Sequence, residues 1–272
     1  MMKRAKALTI AGSDSGGGAG IQADLKTFQE LKVFGMSAIT AVTAQNTLGV
    51  HGVYPMSLEA IEKQLDAVAL DMGTDAVKTG MLFSSDIIEL VVSKIKQYAW
   101  QRVVVDPVMI AKGGSALLQQ EAVFAMKKYL LPKATVITPN IPEAEELTGL
   151  KITSLAERKL AAEALFALGA KNVIIKGGHD NDENLTDLLF DGNSFVELYS
   201  KRISTKNTHG TGCTFAAAVA ACLAKGQTVE EAFKIAKEFV YCAIKEDLHI
   251  GNGHGPTNHW AYQEKQNCTL KS

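Results

Sequence analysis

The chain has 272 residues, 47% of them hydrophobic and 21% charged, with a formal net charge of −1. That length and apolar content fit one large α/β domain with a full core, and the charge balance excludes a basic field for nucleic acid. No apolar stretch reaches a membrane span, no signal-type segment precedes the first strand, and none of the 4 cysteines sits in a C-x-x-C pair, so we expect a reducing cytoplasm without a zinc site or a disulfide framework.

Ala7 to Ala11 is a short apolar run ending in Gly12-Ser13-Asp14-Ser15-Gly16-Gly17-Gly18, the pattern of a buried strand and a flexible turn. From Ala19 on, Ile21, Leu25 and Phe28 repeat at helical spacing. Asp24 lies one turn into that helix. It reads as a solvated helix residue or as a carboxylate facing a ligand cleft, and the sequence alone favours the first. Gly35 to Ala44 is a second strand, ending in a polar loop, Gln45-Asn46-Thr47. Gln45 both donates and accepts, so it suits an amide-like or aminopyrimidine edge. It is equally an ordinary loop residue.

Leu58 to Leu70 reads as an amphipathic helix with Ser57 as its N-cap, Asp75 to Thr79 as a strand, and Ser85 as the cap of a helix through Tyr98. Val103-Val104-Val105 makes a central parallel strand with Asp106 at its C-terminal end, where open α/β sheets bind ligands. Asp106 is thus a candidate for a metal or phosphate network, the alternative being a turn residue before Pro107. Ala134 to Thr138 repeats the pattern and ends in Pro139-Asn140-Ile141-Pro142-Glu143. Glu143 could merely complement a helix dipole. Together with Asn140 and Asp106 it could instead hold a hydrated Mg²⁺, which accepts one or two carboxylates plus water.

Ser154 to Leu168 is helical, with Gly169 following as C′. Asn172 to Lys176 is the next strand, with Lys176 at its end as a point charge for a nucleotide phosphate. Leu185 to Arg202 reads as an antiparallel hairpin at the sheet edge. Then comes Asn207-Thr208-His209-Gly210-Thr211-Gly212-Cys213-Thr214, which opens a small-residue helix from Phe215 to Ala224. Glycines 210 and 212 allow a tight turn whose N–H groups approach a ligand, and a helix start aims those donors at one spot. The pattern fits an anion site, or an αβ loop with no ligand; it is not a Walker loop, because no G-x-x-x-x-G-K-[ST] occurs. Thr228 and Glu231 form a capping-box pattern for a helix from Val229 to Asp247, and weak order is expected after about Trp260. Strand–helix alternation without a linker or repeat implies one domain over residues 1–272, with a mostly parallel sheet covered on both faces.

Several stretches together resemble the ribokinase-like small-molecule kinases, in the branch of hydroxymethylpyrimidine/phosphomethylpyrimidine kinases of thiamine biosynthesis. They are Ala7 to Asp14, Gly17 to Asp24, Val42 to Thr47, Lys78-Thr79-Gly80-Met81, Asp106 to Met109, Thr138 to Asn140, Pro142 to Ala144, Lys176-Gly177-Gly178-His179 and Asn207 to Thr214. The resemblance implies a ribokinase-like fold with a small edge hairpin, use of ATP and Mg²⁺, and a homodimer. It implies phosphorylation of 4-amino-5-hydroxymethyl-2-methylpyrimidine and then of its monophosphate. By likeness, Asp24, Gln45, Met81, Val108 and Cys213 line the pyrimidine pocket. Asp106 and Glu143 serve the metal, Asn140, Lys176 and Thr211 the nucleotide, and Gly210, Thr211 and Gly212 the anion hole. Most ribokinase-like enzymes carry G-A-G-D where this chain has Gly210-Thr211-Gly212-Cys213, and the Asp is the base. Cys213 therefore either acts as the base or packs against the ring, and a helix start lowers a thiol's pKa. A pyridoxal kinase of the same branch is the second reading, and a silent binding protein on the same fold is a third.

Overall fold

The computed structural model describes residues 4–109, 120–178 and 184–269. The first half runs β1 (Lys6–Asp14), α1 (Gly20–Glu30), β2 (Phe34–Asn46), β3 (Gly49–Pro55), α2 (Leu58–Ala67), β4 (Ala76–Thr79), α3 (Ser85–Gln97) and β5 (Val103–Val105). The second runs α4 (Gln120–Ala125), β6 (Val136–Ile137), α5 (Ile141–Thr148), α6 (Leu155–Ala167), β7 (Val173–Ile175), β8 (Asn184–Phe190), β9 (Phe195–Lys201), α7 (Thr211–Ala224), α8 (Val229–Lys245) and α9 (Ala261–Thr269). All nine of these strands join one sheet in the order β3-β2-β1-β4-β5-β6-β7-β8-β9. The six from β2 to β7 are parallel, β3 at one edge and β8 at the other run against them, and β9 pairs antiparallel with β8.

The short inner strands bury both faces, as parallel strands between helices must. Val103, Val105, Val173 and Ile175 point into the core under α2 to α6. Val104 and Ile174 point the other way, into the core under α1, α7 and α8. Helix α7 is apolar on every side and lies buried against α1, α8 and strands β1, β4 and β5. That position brings its N-terminus beside the C-terminal ends of the parallel strands.

The mostly parallel sheet and the β8–β9 hairpin agree with the sequence reading. The sequence reading contains no β3, and three further elements differ from it. Residues 45 and 46 continue β2 rather than starting a loop, because β3 pairs with β2 through Gln45↔Val50 and Asn46↔Gly49. Gln45 is therefore held by a strand ladder. Helix α4 was not marked by any clear period in the sequence. The chain expected to be loose after Trp260 forms α9, because Ala261 and Tyr262 bury themselves and the Tyr262 ring lies 5.2 Å from that of Phe239.

Candidate active site

Five strands deliver polar residues to one rim of the sheet. Asp14 ends β1, Lys78 lies in β4, Asp106 follows β5, Asn140 follows β6 and Lys176 follows β7. All five lie at the C-terminal side of the parallel strands, where helix N-termini and loops leave a crevice. The crevice is a cleft of about 1110 Å³, and Gln45, Met81, Val108, Glu143 and Gly210 to Cys213 also line it. The cleft thus gathers every sequence-predicted site residue except Asp24.

Asp24 is fully buried beneath the cleft floor. Its Oδ2 accepts from Thr9 Oγ1 at 2.6 Å and from Lys78 Nζ at 2.9 Å. This corrects both expectations for Asp24: it is neither solvated nor among the residues that line the cleft, since its carboxylate is spent on Lys78. Lys78 is fully buried too, and its Nζ lies 4.0 Å from Asp106 Oδ2. Burial alone would strip its proton, but the facing carboxylates of Asp24 and Asp106 outweigh burial and hold the ammonium charged.

Asp106 Oδ1 stands 3.2 Å from Lys176 Nζ and accepts from Thr138 Oγ1 at 3.4 Å, whereas its Oδ2 is buried without a hydrogen bond. Lys176 is likewise pulled down by burial but raised on balance by Asp106 and Glu143. Asn140 caps α5 in a reciprocal box: its Oδ1 accepts from Glu143 N–H at 2.9 Å, and Glu143 Oε2 accepts from Asn140 N–H at 2.8 Å. Burial, with Asp106 adding to it against Lys176, pushes the Glu143 carboxyl up to about 7. The sequence motif thus encodes the capping box as well as the acid.

Gly210 adopts φ +84°, a left-handed conformation that glycine takes without strain, and α7 starts immediately after it. The first helical bond that starts from this turn runs from Thr214 N–H to Gly210 C=O. The amides of Gly212 and Cys213 precede it, in the turn whose N–H groups a helix leaves unpaired. Thr211 N–H makes only a long bond, 3.4 Å, to Thr208 C=O. Lys176 Nζ stands opposite, 3.4 Å from where a Cβ on Gly212 would lie. A cation and a helix start therefore face each other across one gap, an arrangement suited to a phosphoryl group.

Cys213 departs from expectation. Burial beside Asp106 and Asp24 outweighs Lys78 and the helix start and pushes the thiol up to about 12. A thiol held there keeps its proton at neutral pH.

Sequence reasoning assigned no role to Lys78, Asp14 or His209. Asp14 Oδ2 accepts from Gly18 and Ala19 N–H and stands 2.8 Å from His209 Nε2. The C-terminal segment braces the turn from behind: His209 N–H donates to Gly255 C=O, and Thr214 Oγ1 lies 3.0 Å from His259 Nε2. Burial pulls the His259 ring down to about 4, so it is neutral there. The Lys78-Thr79-Gly80-Met81 motif was a visible signal for Lys78, since a lysine inside an apolar strand needs a buried counter-charge. His179, quoted with the Lys176 motif, lies outside the described residues.

Among the described residues no helix is long and apolar enough to cross a membrane, and no group of three or more His, Cys, Asp or Glu is placed to hold a metal by itself. The phosphomethylpyrimidine kinase family profile matches residues 14–258. The hydroxymethylpyrimidine/phosphomethylpyrimidine kinase of Bacillus subtilis (strain 168) is 62% identical over 95% of this chain and 96% of its own. Among solved structures, an ADP complex of Bacillus subtilis pyridoxal kinase has a TM-score of 0.90 at 47% identity, covering 96% of this chain and 99% of its own. The phosphomethylpyrimidine kinase of Clostridium difficile 630 has a TM-score of 0.79 at 45% identity, covering 88% of this chain and 98% of its own.

Proposed function

The chain belongs to the phosphomethylpyrimidine kinase family, and from that membership and the cleft geometry we propose how it carries out its reaction. It is an ATP-dependent kinase of thiamine biosynthesis. It phosphorylates 4-amino-5-hydroxymethyl-2-methylpyrimidine and then the resulting monophosphate. The observation that carries this reading is the opposition of Lys176 to the start of α7, with Gln45 in the same cleft. One end of the cleft suits a transferring phosphoryl group and the other an aminopyrimidine edge.

Phosphoryl transfer asks for alignment and charge stabilisation more than covalent help. In this reading the amides of Gly212 and Cys213 and the Lys176 ammonium hold the transferring group. Lys78 neutralises Asp24 and Asp106 beneath it. Gln45 binds the ring edge, with Met81 and Val108 against its faces. Cys213 acts as a packing and polarising neighbour of the reacting hydroxyl and not as a thiolate base, because burial pushes its thiol up to about 12.

The residues fit Mg²⁺. Asp106 Oδ2 has no hydrogen-bond partner, Glu143 is poised to ionise near neutrality, and this metal needs only one or two carboxylates beside water and phosphate. Asp106 and Glu143 would hold it, and the ion would neutralise charge between the nucleotide phosphates. The whole chain serves as one kinase domain. A homodimer is supported by the outer edge of β3, which pairs with no further strand among the described residues, and by the exposed side chains of Leu48 and Tyr54 beside it. The free cysteines among the described residues fit a cytoplasmic setting.

Pyridoxal phosphorylation is the second reading, favoured by the pyridoxal kinase whose structure superposes so closely. Initial rates of ADP release with hydroxymethylpyrimidine, its monophosphate and pyridoxal test the two. A preference for the pyrimidines supports the first reading, and a preference for pyridoxal supports the second.

A further inference from the structure

His209 has no task in the steps above, yet it touches the residue that reads the ring. Its Nε2 stands 2.8 Å from Asp14 Oδ2 and 3.3 Å from Gln45 Nε2. Asp14 is buried and also accepts N–H bonds from Gly16, Gly18 and Ala19. Burial pushes its carboxyl up, but the His209 contact and the backbone amides outweigh this and hold it below the ordinary value. An ionised carboxylate can only accept, so the 2.8 Å contact requires a proton on His209 Nε2. A protonated Nε2 has no lone pair, so a Gln45 N–H at 3.3 Å could not donate to it, whereas an amide oxygen there would share the one ring N–H with Asp14.

The far side of the Gln45 amide imposes a second condition. Thr43 Oγ1 lies 2.9 Å from Ser13 C=O and 3.1 Å from Gln45 Oε1. The hydroxyl carries one hydrogen and cannot serve two acceptor oxygens, so with that hydrogen on the nearer Ser13 carbonyl it can only accept from Gln45. Thr43 therefore needs a donor at 3.1 Å. A half-turn of the Gln45 amide exchanges its oxygen and nitrogen and satisfies both neighbours at once. The His209 N–H, shared with Asp14, then faces Gln45 Oε1, and Gln45 Nε2 donates to Thr43 Oγ1.

We infer that His209, set by Asp14, and Thr43, set by the Ser13 carbonyl, lock the Gln45 amide with its oxygen towards His209 and its nitrogen towards Thr43. His209 and Thr43 are thus positioning residues for substrate choice. The lock leaves one lone pair and one N–H in a fixed order, matched to an amino group beside a ring nitrogen. Its bearing on substrate choice rests on the pyrimidine-kinase reading, whereas the lock itself is a property of the free protein.

Two measurements separate these. In isotope-labelled full-length protein without substrate, the Gln45 side-chain N–H protons should show stronger nuclear Overhauser contacts to the Thr43 methyl than to the His209 ring. Stronger contacts to the ring would overturn the lock. In steady-state kinetics, Thr43→Val should raise KM for hydroxymethylpyrimidine about tenfold, the cost of one misdirected hydrogen bond, with kcat and KM for ATP unchanged. The same change in a Gln45→Leu background should add nothing, because the amide it orders is gone. An equal rise in both backgrounds would overturn the positioning role. Wild-type protein inactive on the pyrimidine would refute the functional reading, while the Overhauser contacts would still decide the lock.

Discussion

Two glycines in the α7 turn can be separated by a single methyl group. Gly210 sits at φ +84°, and a Cβ there would lie 1.7 Å from the Gly18 carbonyl oxygen. Gly210→Ala should therefore damage the fold itself. A Cβ on Gly212 meets only Lys176 Nζ, at 3.4 Å, which is ordinary contact. Gly212→Ala should fold at least as well as wild type, since alanine is favoured over glycine in a helix by up to about 1 kcal/mol. Its methyl would nevertheless stand in the gap between the helix amides and the ammonium. A phosphoryl oxygen bonded to both needs about 2.8 Å to each, so it would be pushed out of reach of at least one donor. Losing one such donor costs on the order of 10²–10³ in turnover, about 2.7–4 kcal/mol. The assay is kcat with ATP and saturating pyrimidine beside a thermal melt. A Gly212→Ala protein with an unchanged melting temperature and near wild-type kcat would refute the anion-site assignment.

Other substitutions test the buried charges. Lys78→Ala leaves the buried Asp24 without its cation, and Asp106 with Lys176 alone, and should cost about 3–5 kcal/mol in urea unfolding, while Lys78→Met with Asp24→Leu should recover much of it; a loss below about 1 kcal/mol would mean the pair is solvated. Glu143 has a native pKa raised from 4.5 to about 7, so its contribution to stability is full below pH 4.5 and is lost as pH rises through 7. Glu143→Gln should flatten unfolding free energy across that window, and an unaltered profile would place the shift elsewhere. Cys213 should react slowly with iodoacetamide at pH 8, and Cys213→Ser should keep the wild-type pH–rate profile below pH 9; rapid alkylation would restore the thiolate-base role.

The sequence carried most of this architecture because the architecture is periodic. Val103 to Val105 and Val173 to Ile175 bury both faces, so they appear as unbroken apolar runs. Asp106 and Lys176 could be placed because each follows such a run directly, and Asn140 because it comes three residues after Val136–Ile137. Asp24 could not, since its partner Lys78 is 54 residues away and only the β1–β4 pairing and α1 bring them together. The Cys213 thiol was misjudged for a related reason: a helix start is visible in sequence, but the desolvation that outweighs it comes from residues on other strands. The Asp14–His209 contact spans 195 positions, and no local pattern announces it. Helix α9 hides its docking in two residues, Ala261 and Tyr262, amid polar neighbours.

The most direct test of the account follows the products of purified protein, ATP and Mg²⁺ with 4-amino-5-hydroxymethyl-2-methylpyrimidine by mass spectrometry over time. The monophosphate should appear first and then the diphosphate, each with one ADP released, and pyridoxal under the same conditions should be the poorer acceptor. Phosphorylation of pyridoxal alone, or ATP consumption without a phosphorylated pyrimidine, would contradict it.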